Sequence, residues 1–158
     1  ANEELRIYSL ATLTEERYLA CDDGCDGRYE LGNGELQPMS LSIGRHGTII
    51  KQLECIFDDV IKRLQQPCIA LSGTVGLQSP RGEAWDTVRI PDLTVLTLEQ
   101  WETLQEREAV IRLNEPPPLL VVEVVSESTK GTDYRAKRAD YSMLDIPKYW
   151  TADSLKEG

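Results

Sequence analysis

Leu119-Leu120-Val121-Val122-Glu123-Val124-Val125 is the stretch on which the reading of this chain turns. Successive residues of a strand point to opposite faces, and here both faces are apolar, which marks a strand covered on both sides rather than one lying half in water. Pro116 to Pro118 stop whatever precedes it. Just upstream, Thr97-Leu98-Glu99-Gln100-Trp101 and the residues to Glu106 read as a capped helix. Before that, Val88 to Leu96 alternates like a strand, with Pro91 removing a ladder donor and therefore placed at a bulge or edge. Downstream, Thr132 is suited to cap a helix running to about Leu144, and Ile146 to Trp150 begins another strand.

Toward the N-terminus, Ile49, Ile50, Leu53, Ile56, Phe57, Val60, Ile61 and Leu64 recur at three- and four-residue steps, which predicts an amphipathic helix from Thr48 that ends at Gln65-Gln66-Pro67. Cys68 to Leu71 and Thr74 to Gln78 read as short strands, and Ser79 to Glu83 as a turn. Arg28 to Leu31 and Glu35 to Met39 flank Gly32-Asn33-Gly34, a hairpin signal that places Glu30 in a strand. Thr12 and Thr14 predict a short first helix to about Ala20, followed by a loop from Cys21 to Gly27. Strands and helices at this spacing argue for an α/β domain with a central mixed sheet flanked by helices. At 158 residues, the chain is read as a single domain over 1–158.

The composition is that of a folding chain, with 41% hydrophobic and 28% charged residues. No apolar run is long enough for a membrane span, and the first residues, Ala1-Asn2-Glu3-Glu4, are unlike a secretory leader, so the expectation is a cytoplasmic protein. Four cysteines, Cys21, Cys25, Cys55 and Cys68, with one histidine make a zinc site a poor fit and favour free thiols. A net charge of −10 opposes non-specific attraction to a polyanion. Residues 126–158, with six basic and six acidic side chains, are where a nucleic-acid contact is expected. Neither a phosphate-cradling glycine loop ending in lysine nor a serine with a recognisable base appears.

Glu123 is the residue that needs explaining, because a carboxylate among four valines costs several kcal/mol in desolvation unless something compensates it. An arginine or backbone donors would satisfy it in a purely structural role. Asp92 supplies another reading: it follows Pro91 at the irregular point of a neighbouring strand, where an aspartate is otherwise an ordinary turn residue. Two carboxylates from adjacent strands, completed by carbonyl oxygens and water, suit a hard divalent ion such as magnesium, with manganese as a substitute. Asp133, Lys137 and Tyr141 recur every four residues along one stripe of the last helix. That stripe is either an exposed ion pair or, if it faces the carboxylates, a means for Lys137 to hold water or offset charge on a phosphoryl group.

Taken in order, Arg28-Tyr29-Glu30-Leu31, the Asn33-Gly34-Glu35-Leu36 turn, His46, Arg89-Ile90-Pro91-Asp92-Leu93, Val121 to Ser126, Asp133, Lys137, Tyr141 and Tyr149-Trp150 resemble a bacterial family abundant in cyanobacteria. Its members are classed as putative restriction endonucleases of the PD-(D/E)XK nuclease superfamily, and the resemblance covers nearly the whole chain. It implies a restriction-endonuclease-like α/β/α core, with Asp92 and Glu123 as metal ligands and the main-chain carbonyl of Val124 as a third. The superfamily lysine stands two residues after the acid, where this chain has Val125; the resemblance moves that role to Lys137. Glu30 and His46 match positions near the implied cleft, Glu30 as an accessory acid. For His46, a local hydrogen bond at a helix start is the structural alternative. The family pattern continues past Tyr149-Trp150 with further strands, whereas Thr151 to Gly158 is polar, so the resemblance implies a shortened member whose open edge a second protomer covers in a homodimer.

The expectation is a magnesium-dependent endonuclease acting on DNA through Asp92, Glu123 and Lys137, with Tyr141 beside them. A catalytically inactive accessory or interaction module on the same scaffold is the alternative, motivated by the charge of −10, the displaced lysine and the shortened C-terminus.

Overall fold

The computed structural model describes residues 29–32, 35–38, 44–81, 84–125, 132–142 and 144–153. The helix expected near 14–20, Cys21, Cys25, Asn33-Gly34, the side chain of Asp133 and the end of the chain lie outside the described residues. The elements are β1 (Tyr29–Gly32), β2 (Glu35–Pro38), α1 (Gly44–Arg63), β3 (Cys68–Ser72), β4 (Gly76–Arg81), β5 (Ala84–Arg89), β6 (Leu93–Thr97), α2 (Leu98–Thr103), β7 (Val110–Ile111), β8 (Leu120–Val125), α3 (Thr132–Ser142) and β9 (Lys148–Asp153). The α/β class expected from the alternation is the one observed. The strands divide between two sheets, β2-β1-β5-β4-β7 and β3-β6-β8-β9, each containing parallel and antiparallel pairs.

The division falls where the sequence is irregular. Val88 to Leu96 is two strands, not one: β5 belongs to the first sheet and β6 to the second, with Ile90-Pro91-Asp92 crossing between them. Proline has no N–H to continue a ladder, so the strand ends there. The N–H of Ile90 finds the carboxylate of Glu30 at 2.9 Å instead of a strand partner. Asp92 thus stands at the step from one sheet to the other.

β8 lies between β6 (antiparallel) and β9 (parallel), the central position its apolar sequence demands. One face of this sheet carries Ala70, Leu93, Val95, Leu120 and Val122, covered by Leu53, Phe57 and Ile61 at four-residue steps along α1. The opposite face carries Leu96 and Val121, packed with Leu77 and Ile111 of the other sheet and with Val75, Leu104 and Tyr141. Alternation along β8 puts Glu123 on the same side as Val121, toward α3.

Several boundaries differ from the sequence expectation. The helix begins at Gly44, four residues before Thr48, so His46 sits in its first turn, and Ile56 and Leu64 of the expected apolar face are exposed. Gln65, with a left-handed φ of 50°, ends it before Pro67. Ser79 to Arg81 continues β4 rather than turning, because β5 pairs with it through a register shift there. α3 ends at Ser142, two residues short of Leu144, and β9 runs on to Asp153 because β8 pairs with it over its full length.

The capping of α2 is as expected: the Thr97 hydroxyl accepts from Gln100 N–H at 3.0 Å, and the Gln100 side chain accepts from Thr97 N–H at 2.9 Å. Thr97→Ala should cost about 1 kcal/mol, seen as a lower urea midpoint at unchanged slope. Cys55 and Cys68 are free thiols. No helix among the described residues is long and apolar enough to cross a membrane.

Candidate active site

The step at Pro91 and the strand alternation of β8 bring two carboxylates to neighbouring positions. Asp92 Oδ2 accepts the N–H of Val124 at 2.7 Å, so the residue after Glu123 holds Asp92 in place. Asp92 Oδ1 lies 3.3 Å from His46 Nε2 in the first turn of α1. The partner of His46 is therefore 46 residues away in sequence, and the local hydrogen bond considered for it is not the one formed. The other ring nitrogen of His46, Nδ1, is buried and without a hydrogen-bond partner among the described residues.

Glu123 is only 6% exposed, and its partners come from α3. The Tyr141 hydroxyl donates to Glu123 Oε1 at 2.7 Å, and Lys137 Nζ lies 3.9 Å from Oε2. Burial pushes the Glu123 carboxyl well above the ordinary carboxylate range; the charges of Asp92 and Glu30 add to this, while Lys137 and the Tyr141 hydrogen bond oppose it. Burial, and then the negative charge of Glu123, push the Tyr141 phenol upward as well, so it remains a proton donor. Lys137 and Tyr141, four residues apart, do share a stripe, and that stripe faces β8, with the Lys137 side chain only 14% exposed.

Glu30 reaches the same cluster from β1. Lys137 Nζ lies 3.4 Å from its Oε1, the oxygen that also accepts Ile90 N–H, and Arg89 Nη1 lies 3.6 Å from Oε2. Glu30, His46, Asp92, Glu123, Lys137 and Tyr141 are thus linked in one chain of contacts built from β1, α1, the β5–β6 step, β8 and α3. Sequence reasoning gave no role to Arg89 or Asp140, which form a buried pair at 3.0 Å behind this cluster. The available signal was an arginine between Val88 and Ile90, a charge inside an apolar strand.

The donor set fits a hard divalent ion. It presents carboxylate oxygens in a region where burial and mutual repulsion leave Glu123 short of positive charge, and neither carboxylate of the Asp92–Glu123 pair is tied to an arginine in the contacts described above. Among the described residues, no group of three or more His, Cys, Asp or Glu side chains forms a ready-made metal cage. The pair alone suits magnesium, which keeps several of its waters and takes only one or two protein carboxylates. Asp92 and Glu123 would hold it; Val124, whose carbonyl the resemblance implies as a further ligand, engages Asp92 through its amide.

None of the curated proteins matches the chain. Among solved structures, it is similar to a putative nuclease belonging to DUF820 from Anabaena variabilis, with a TM-score of 0.65 at 15% identity over 89% of this chain and 74% of that one. At that identity the likeness speaks for the fold. A family model described as "Putative restriction endonuclease" matches residues 15–157. With a match of that extent, the chain belongs to the Uma2 family of putative restriction endonucleases.

Proposed function

We propose that this protein is a magnesium-dependent endonuclease that hydrolyses phosphodiester bonds in DNA. The observation that carries the reading is the meeting of Asp92, Glu123 and Lys137, from three separate segments, in a member of this family. Restriction-endonuclease-like nucleases generally use divalent metals. When bound, the ion supplies a water of lowered pKa and positive charge against the phosphoryl oxygens. The protein's part is positional and electrostatic: Val124 N–H and His46 orient Asp92, Tyr141 orients Glu123, and Lys137 directs a proton donor toward the water or the phosphoryl group attacked in line.

The charge of −10 favours the second reading, an inactive module on the same scaffold. The two part on a simple assay. Purified protein with supercoiled plasmid should produce nicked and linear DNA with magnesium or manganese and none with EDTA. Calorimetric titration with magnesium should show one binding event that Asp92→Ala removes. Absence of both metal binding and cleavage rejects the endonuclease.

A further inference from the structure

The acid and the lysine of this site do not share a strand. A lysine two residues beyond Glu123 would be placed by the sheet itself, whereas Lys137 arrives on α3, whose roll and register against β8 need an anchor of their own. The Arg89–Asp140 pair occupies the position such an anchor requires. Asp140 is one helical turn from Lys137, on the same side of α3, and is 1% exposed. Arg89, 2% exposed, donates through Nε to Asp140 Oδ2 at 3.0 Å and turns Nη1 toward Glu30 at 3.6 Å. One guanidinium therefore engages both the helix that carries Lys137 and a carboxylate 3.4 Å from its ammonium.

We propose that Arg89 and Asp140 are positioning residues that set Lys137 against Glu123, with Arg89 bridging α3 and Glu30. A planar fork with several donors can serve two carboxylates in fixed directions, which a lysine at position 89 does not. Buried ion pairs add little net stability over apolar groups of the same size, so the consequence of this one is geometric. This inference rests on the endonuclease reading only for its effect on turnover; the placement of Lys137 is measured separately.

Two readouts are needed: the rate of reductive methylation at Lys137, followed by mass spectrometry, and kcat and KM for plasmid cleavage. The double variant Arg89→Met/Asp140→Leu replaces the pair with apolar side chains, which keeps the fold while removing the bridge. It should melt cooperatively, methylate Lys137 faster than the wild type, and lose about 10–100-fold in kcat at unchanged KM. Arg89→Lys should not restore turnover. If the double variant fails to fold, Asp140→Asn, which keeps the shape and removes the charge, is judged by the same two readouts. A folded variant with wild-type methylation and kcat overturns the proposal. If the wild type cleaves no DNA, the endonuclease reading falls, and the methylation rate alone decides whether the pair places Lys137; an unchanged rate overturns it there too.

Discussion

Glu123→Gln should eliminate DNA cleavage, lowering kcat by about 10³-fold, and at the same time make the metal-free protein more stable. Both effects have one cause. The carboxylate is buried beside Asp92 and Glu30, and burial holds its proton well above the pH at which an exposed glutamate releases it. In the unfolded chain the same group titrates near its ordinary value of about 4.3. Below that pH both states are protonated and the difference vanishes. As pH rises above it, the unfolded chain loses the proton first, the folded protein binds the excess, and stability falls until the folded group has also ionised. The wild type without metal should therefore lose thermal stability as pH rises above the ordinary glutamate range relative to Glu123→Gln, whose amide has no such titration. Magnesium should reverse that loss in the wild type and leave the variant unmoved, since the ion stabilises only a state that binds it. Melting curves at several pH values, with magnesium and with EDTA, check this. A variant that cleaves DNA normally, or a wild type whose stability relative to it is flat with pH, would show that Glu123 is an inert strand residue.

Lys137→Met should reduce kcat by about 10²–10³-fold without weakening magnesium binding. The side chain keeps most of its length, so the packing of α3 is preserved while the ammonium is lost. That ammonium lies 3.9 Å from Glu123 and 3.4 Å from Glu30, and its charge opposes the upward push on the Glu123 carboxyl. On the proposed endonuclease reading, a cation at this point would offset charge developing on the phosphoryl group and would compete with a divalent ion for the same carboxylate in the resting state. Turnover and metal affinity should therefore separate: cleavage collapses while the magnesium Kd stays level or tightens. Calorimetry alongside single-turnover cleavage distinguishes this from general damage, in which both would fail together. Undiminished cleavage by Lys137→Met would remove the lysine from the mechanism.

Much of the fold can be read directly from local patterns. The apolar stretch from Leu120 to Val125 could be stable only as an inner strand, and β6 and β9 do flank it. The recurrence of Leu53, Phe57 and Ile61 announced an amphipathic helix, which lies on that sheet, and Thr97 announced the start of another. Pro91 was recognisable as an interruption, but the same proline is compatible with a bulge within one sheet or a crossing between two. A missing N–H says where a ladder stops and nothing about where the chain goes next.

The site divides in the same way. The sequence on its own determined that Glu123 needed compensation and that Asp92 lay at a break, because both follow from the character of the immediate neighbours. Only the tertiary structure decided who compensates whom: His46 and Val124 for Asp92, Tyr141 and Lys137 for Glu123, Arg89 for Asp140 and Glu30. The physical reason is that an i,i+4 stripe looks the same whether it faces solvent or a buried acid, and a charge in a strand looks the same whatever it meets. Periodicity is a property of one segment, whereas an ion pair across dozens of residues depends on how two segments dock, and docking is set by the whole core at once.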